Sequence, residues 1–218
     1  MADHHIQRQI LERLAFAPTR SFTELKPDDL ANNAFSYHLK QLLAEKLVQK
    51  QGEAYGLTVE GQRYVDKYSL ATHRPRQQPK VICQIVLRNR NGEYLLARHK
   101  RQPFLEKWAF WSGKQHFGES SGMHAQRELI EQLGKSCELT QKGFIDFRIS
   151  NEELVSHVVG PVYAGNFDGE APAATAKFAY AWHGSLDGLE LVPGTAEILQ
   201  ALTSGSDNFF LSLDLCDN

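Results

Sequence analysis

The chain has 218 residues and a formal net charge of −2. This length allows one large domain or two small ones, and so slight a charge excludes a global attraction to nucleic acid or membrane. Apolar residues make up 42% of the chain but form no run long enough to span a bilayer, so no membrane partner is expected.

The first third reads as one unit, residues 1–71. Ile6, Ile10, Leu11 and Leu14 recur at helical spacing and predict an amphipathic first helix. Ser21 and Glu24 have capping-box spacing for a short second helix, which Pro27 ends. Phe35, Leu39, Leu42 and Leu43 mark the inner face of a third helix, with Asn32 and Asn33 as candidate caps. The stretches LVQK and AYGLT predict two strands joined at Gln51-Gly52-Glu53. A closing helix from Thr58 to about Tyr68 is expected to turn Val59, Tyr64, Val65 and Tyr68 inward.

Three helices, a hairpin and a closing helix, with the wording FSYHLKQLLAEKLVQKQGEAYGLTVEG, resemble the winged helix-turn-helix domains of bacterial transcription regulators. The resemblance implies that the third helix enters a DNA major groove while the wing rests on the backbone. It assigns contact with double-stranded DNA to Asn33, Ser36, Tyr37, His38, Lys40 and Gln41 on the helix and to Lys50 on the wing. It also implies a homodimer. The basic residues of 1–71 are balanced by acidic ones, whereas a strong DNA binder usually shows an excess. A winged helix used for dimerisation or protein contact therefore stays open as well.

Residues 72–80, THRPRQQPK, are Pro-rich, polar and basic, and are expected to form an exposed linker. Arg74, Arg76 and Lys80 there could add phosphate contacts. From 81 to 218 the period changes. VICQIVL reads as a buried strand and EYLLARHK as its partner across an Asn91-Gly92 turn. RQPFLEKWAFW follows, with Trp108, Phe110 and Trp111 as core or pocket wall. GFIDFRI, VSHVVGPVYAG and FAYAWHG predict strands, and Pro193-Gly194 opens a last helix, TAEILQAL. Cys83, Cys137 and Cys216 are scattered without metal or redox spacing, which suits free thiols in a reducing compartment. With no signal peptide, a cytoplasmic location is expected.

The stretch 113–134, GKQHFGESSGMHAQRELIEQLG, organises this second unit. A glycine-bearing loop becomes a helix in which Ala125, Leu129, Ile130 and Leu133 are expected on the core side and Glu128, Glu131 and Gln132 on the opposite side. Oxygen ligands on a rigid support suit a hard divalent cation shared with substrate phosphates. The spacing is Gly113, five residues, Glu119, seven residues, Arg127-Glu128-Leu129, one residue, Glu131-Gln132, one residue, Gly134. This resembles the Nudix box, the loop–helix–loop signature of the Nudix superfamily.

The resemblance implies an α/β fold, a Nudix α/β/α sandwich with a mixed sheet following the winged helix-turn-helix. It implies an ion pair of Glu119 with Arg127 that holds loop to helix, with Gly113 and Gly134 as the other structural positions of the box. It assigns catalysis to Glu128 and Glu131, the ligation of Mg2+ or Mn2+ to Glu128, Glu131 and Gln132, and ligand contact to Lys114 and His116. Gln132 departs from the family pattern, which has a third glutamate there. A neutral amide still offers one carbonyl oxygen, but it removes a full charge and cannot act as a base. Many relatives also place an acidic pair before a strand ending in tryptophan. No carboxylate stands between Ala171 and Trp182 here, which leaves Glu152, Glu153, Asp168 and Glu170 as substitutes.

Together these features lead us to expect a DNA-binding transcription regulator whose Nudix-like domain senses a nucleoside-diphosphate-type metabolite with weak or no hydrolysis. The competing expectation is an active Mg-dependent hydrolase of nucleoside diphosphate derivatives whose winged helix serves assembly. A Nudix-like isomerase is a third, suggested by Ser112-Gly113.

Overall fold

Helix α1 (His5–Ala15) buries Ile6, Ile10, Leu11 and Leu14 along one stripe. Its cap is His4, whose Nδ1 accepts the Ile6 amide at 3.3 Å. The short strand β1 (Arg20–Ser21) leads into α2 (Phe22–Leu25), which Ser21 and Glu24 cap reciprocally as their spacing predicts. In α3 (Asn32–Ala44) Phe35, Leu39 and Leu42 are buried. Its N-cap is Ala31, without a side-chain bond. Asn33 does not cap it, because its Oδ1 is taken by the adjacent Ala34 amide at 2.8 Å. Strands β2 (Val48–Gln51) and β3 (Ala54–Leu57) form the expected antiparallel hairpin, and β1 adds to β3 as a third strand that no local signal announced.

Helix α4 (Val59–Lys67) starts at Thr58, whose Oγ1 accepts the Gly61 amide at 3.0 Å. Such a cap contributes about 1 kcal/mol. Contrary to expectation, Val59 is 61% exposed. It precedes the buried Gly61 by two residues and so falls off the stripe that continues to Tyr64 and Val65. The helix stops at Lys67, and Tyr68 begins β4 (Tyr68–Ser69), which pairs with β5 (Arg74–Pro75). Part of the segment expected as a linker is thus paired with the first unit. Two compact units result, Met1–Gln77 and Gln78–Asn218. The structure, a computed structural model, describes residues 4–69, 72, 74–205 and 208–217; position 73 of the expected linker lies outside them.

The second unit is a mixed seven-stranded sheet between two helices. Its elements in chain order are β6 (Lys80–Arg88), β7 (Tyr94–His99), β8 (Trp108–Lys114), α5 (Ser121–Leu133), β9 (Thr140–Asn151), β10 (Glu153–Asn166), β11 (Phe178–His183), α6 (Thr195–Thr203) and β12 (Phe209–Cys216). The strand order is β11-β7-β8-β6-β10-β9-β12, with β6–β10 and β9–β12 parallel. Val86, Leu96, Phe110, Ile145 and Phe147 meet Ile198 of α6 on one face. Cys83, Ile85, Leu95, Trp111 and Tyr163 meet Ala125 and Leu129 of α5 on the other.

Two expectations change. Strands β6 and β7 pair only at Arg88 and Tyr94, because β8 lies between them. The turn still closes locally, Gly92 N–H to Asn89 C=O at 3.0 Å. Strand β8 is an interior strand beside the central β6, and its Ala109, Phe110 and Trp111 are buried, covered on both faces of the sheet. Strand β12 was not foreseen and pairs with β9 over its whole length. Cys83, Cys137 and Cys216 are free thiols. Among the described residues, no helix is long and apolar enough to cross a membrane.

Candidate functional site

The loop after β8 turns back on itself through Gly118, at φ 84°, and ends at Ser120, whose side chain caps α5 by accepting the Met123 amide at 3.3 Å. The helix ends at Gly134 in the left-handed region, φ 63°, where glycine carries no Cβ penalty. Between these points Arg127 uses all five guanidinium N–H groups. It forks onto Glu119 at 2.8 and 3.1 Å, reaches Glu128 Oε1 at 2.8 Å and Glu131 Oε2 at 3.1 Å, and bonds the Lys114 carbonyl at 3.2 Å. Glu119 also accepts the His116 amide at 3.0 Å. The Arg127 guanidinium and then the His116 amide hold the Glu119 carboxyl down at about 2. Burial opposes this, and the charge of Arg127 adds to it.

The helix face differs from the expected one. Ile130 is 56% exposed, whereas Glu128, expected outside, is 7% exposed. Gly113 explains this inversion. A Cβ there would stand 1.9 Å from Glu128 Cδ, so the carboxylate lies directly on the strand backbone and fills the place of a side chain. Beneath it His124 Nε2 stands 3.5 Å from Cys83 Sγ and 3.8 Å from Glu128 Oε1. Burial pushes the Cys83 thiol up to about 12 and lowers the pKa of His124, which favours a neutral Cys–His pair under the carboxylate.

Gln132 is half-buried and points to the edge strand β11, where its Oε1 accepts the Tyr180 hydroxyl at 2.9 Å. Burial first, and the charge of Glu128 second, push the Tyr180 phenol up to about 12, so it stays a donor. Glu131 is exposed apart from its bond to Arg127.

No protein-family model matches the chain, and no curated protein matches it. Solved structures do. The chain is similar to a MutT NUDIX hydrolase from Burkholderia pseudomallei, at 28% identity over 58% of this chain and 99% of that one, TM-score 0.50. A MutT protein from Bacillus halodurans aligns at 18% identity over 62% of this chain and 89% of that one, TM-score 0.52. The NUDIX domain of Shewanella oneidensis NrtR, complexed with ADP ribose, aligns at 14% identity over 68% of this chain and 98% of that one, TM-score 0.51. The second unit has the Nudix fold. In this Nudix unit the box spacing and the arrangement of loop, helix and mixed sheet agree.

Most oxygen donors of the Nudix box are already engaged within the protein. One oxygen of Glu128 and one of Glu131 are taken by Arg127, and the single oxygen of Gln132 by Tyr180. Among the described residues, no group of three or more His, Cys, Asp or Glu is arranged to hold a metal. One oxygen each of Glu128 and Glu131 is left beside those bonds, a donor set suited at most to weak binding of a hard cation. The substitutes for a further carboxylate do not join the box in any described contact. Asp168 bonds the Arg90 amide at 2.8 Å, beside the β6–β7 turn, and Glu152 sits at the turn between β9 and β10 with φ 60°. Lys114 and His116 are exposed on the box loop.

On the opposite face of β8, next to Gly113, Ser112 lines a cavity of about 70 Å³ with Gln84, His99, Phe104 and Thr195. Gln84 Oε1 is buried there without a partner among the described residues, and burial lowers the pKa of His99, with the charge of Arg101 adding to the effect. Sequence reasoning missed this cavity, although a glutamine inside the apolar run VICQIVL was a legible signal. A larger cleft of about 900 Å³, lined by Arg88, Tyr94, Lys142 and Asn166 among others, contains no box residue.

In the first unit Asn33, Tyr37 and Lys40 of α3 are exposed, as is Lys50 on the hairpin. Ser36 and Gln41 are half-buried. Gln41 is engaged at both ends, accepting from Gln7 at 2.6 Å and donating to the Tyr37 hydroxyl at 2.8 Å. His38 does not belong to the exposed set. It is 8% exposed and stacks on His4, ring centroids 4.1 Å apart. Its position, between Phe35 and Leu42 on the core stripe, turns it inward.

Proposed function

We propose that the protein is a DNA-binding transcription regulator whose Nudix unit binds a nucleoside-diphosphate-type metabolite and hydrolyses it slowly or not at all. One observation carries this reading: the third acidic position of the box is Gln132, and its only carbonyl oxygen is bonded to Tyr180 at 2.9 Å. A site short of an anionic ligand binds metal less tightly and offers a poorer base. Glu128 and Glu131 would hold Mg2+ or Mn2+ weakly, and the ion, when bound, would neutralise diphosphate charge. Lys114 and His116 extend from the loop toward solvent, where phosphate oxygens could meet them. The NrtR domain, complexed with ADP ribose, supports a ligand of this class on this fold. For the first unit, the exposed Asn33, Tyr37 and Lys40 beside Lys50 on a hairpin support contact of a helix and wing with duplex DNA.

The test is a panel of nucleoside diphosphate derivatives, ADP ribose included, measured for thermal shift and for hydrolysis with Mg2+. The expected outcome is a compound that raises the melting temperature without turnover. Rapid turnover of any of them replaces this reading with that of an active hydrolase.

A further inference from the structure

Tyr180 lies outside the box, on the edge strand β11, and nothing in the box spacing points to it. Its hydroxyl reaches across to α5 and donates to Gln132 Oε1 at 2.9 Å, which is its hydrogen-bond partner among the described residues. The ring packs edge-on to Trp111, centroids 6.2 Å apart, and Trp111 is itself buried in the sheet, so the hydroxyl is fixed in place. An amide has one oxygen, and its other end is a donor that repels a cation. That oxygen has two lone pairs, but one is committed to Tyr180 on the edge strand, which holds the oxygen toward β11. Turning it would strand a half-buried phenol.

We propose that Tyr180 and Gln132 form a neutral pair that takes the third metal-ligand position of the box out of use, so that Tyr180 sets how weakly the box holds a divalent ion. The inference rests on the reading of the box as a divalent-ion site. Tyr180 acts through Gln132 and is a positioning residue. The opposite role is also physically definite: a phenol that aims Gln132 at the ion would be a supporting partner, and such partners strengthen metal sites by about 10- to 100-fold. The two roles differ in the sign of the effect on removing the hydroxyl.

The experiment is a Mn2+ titration of the full chain, followed by the electron paramagnetic resonance of the free ion. It compares the unmodified protein with Tyr180→Phe, Gln132→Glu and the double variant, each checked for folding by its melting curve. Tyr180→Phe is expected to bind Mn2+ about tenfold more tightly than the unmodified protein, a gain of about 1.4 kcal/mol. Gln132→Glu is also expected to tighten binding, since a carboxylate has one oxygen for Tyr180 and one for the ion. Adding Tyr180→Phe to it should change little. Unchanged or weakened binding in Tyr180→Phe, with tightened binding in Gln132→Glu, overturns the role of Tyr180 and leaves the box reading in place. No binding in Gln132→Glu or in the double variant overturns the box as an ion site and this inference with it. A second readout is the Gln132 side-chain amide in an NMR titration with Mg2+. It should move in Tyr180→Phe and stay still in the unmodified protein, and the reverse pattern overturns the proposal.

Discussion

Gly113 has room for hydrogen and nothing more, because the Glu128 carboxylate lies where a Cβ would stand. Gly113→Ala must push that carboxylate off the strand and loosen its 2.8 Å bond to Arg127. We expect a loss of about 1–3 kcal/mol, the usual range for overpacking, read as a lower urea midpoint with an unchanged slope. No change would mean that Glu128 does not pack on the strand. At this scale much of the box was legible. Glu119 and Arg127 meet because the loop returns to the helix that carries Arg127, and their spacing encodes that return. The burial of Glu128 was not legible, because grouping charges on one helix face assumes that water lies over them, and here a glycine in a strand takes that place. For the same reason Ile130 was misplaced. Tyr180 gave no signal, since its role depends on which strand reaches the sheet edge beside Gln132.

Helix α3 packs against α1 partly through histidines. His38 stacks on His4, its Nδ1 is buried without a partner among the described residues, and the His5 ring lies tilted against His4 at 4.4 Å. Burial first, then the neighbouring His4 and His5, lower the His38 pKa from its ordinary 6.5. A folded value below the unfolded one means that the unfolded chain takes up the proton first. The stability is therefore full above pH 6.5 and declines as the pH falls below it. We expect the melting temperature of the first unit to drop between pH 7.5 and 5.5, and His38→Phe to reduce that drop while keeping the stack. Equal pH dependence in both proteins would remove His38 as the cause. Among the elements, α1, the capped α2 and the β2–β3 hairpin were legible because their signals are local. The insertion of β8 between β6 and β7 was not, since the Asn91-Gly92 turn reports only its own closure. Strand β12 was missed because FFLSLDLC finds its partner in β9, far away in sequence.

The whole chain joins two compact units with separate cores. If the Nudix unit senses a metabolite for the first unit, ligand and DNA affinities must be linked. A ligand shifts DNA binding only by binding the competent and incompetent states unequally. We expect a compound that stabilises the Nudix unit to change duplex affinity about 5- to 150-fold. Fluorescence anisotropy against DNA upstream of the protein's own gene, at several salt concentrations, measures this. If no duplex binds at low salt, the first unit is an assembly module. The sheet topology also bears on biosynthesis. Strand β6 leaves the ribosome before either of its neighbours β8 and β10 exists. Its partner β10 follows after roughly 80 further residues, so at usual translation speeds the apolar run VICQIVL waits about 4 to 16 s for full pairing. Throughout that interval it is a template for chaperones or for a neighbouring nascent chain, and slow codons between the two strands would lengthen the exposure.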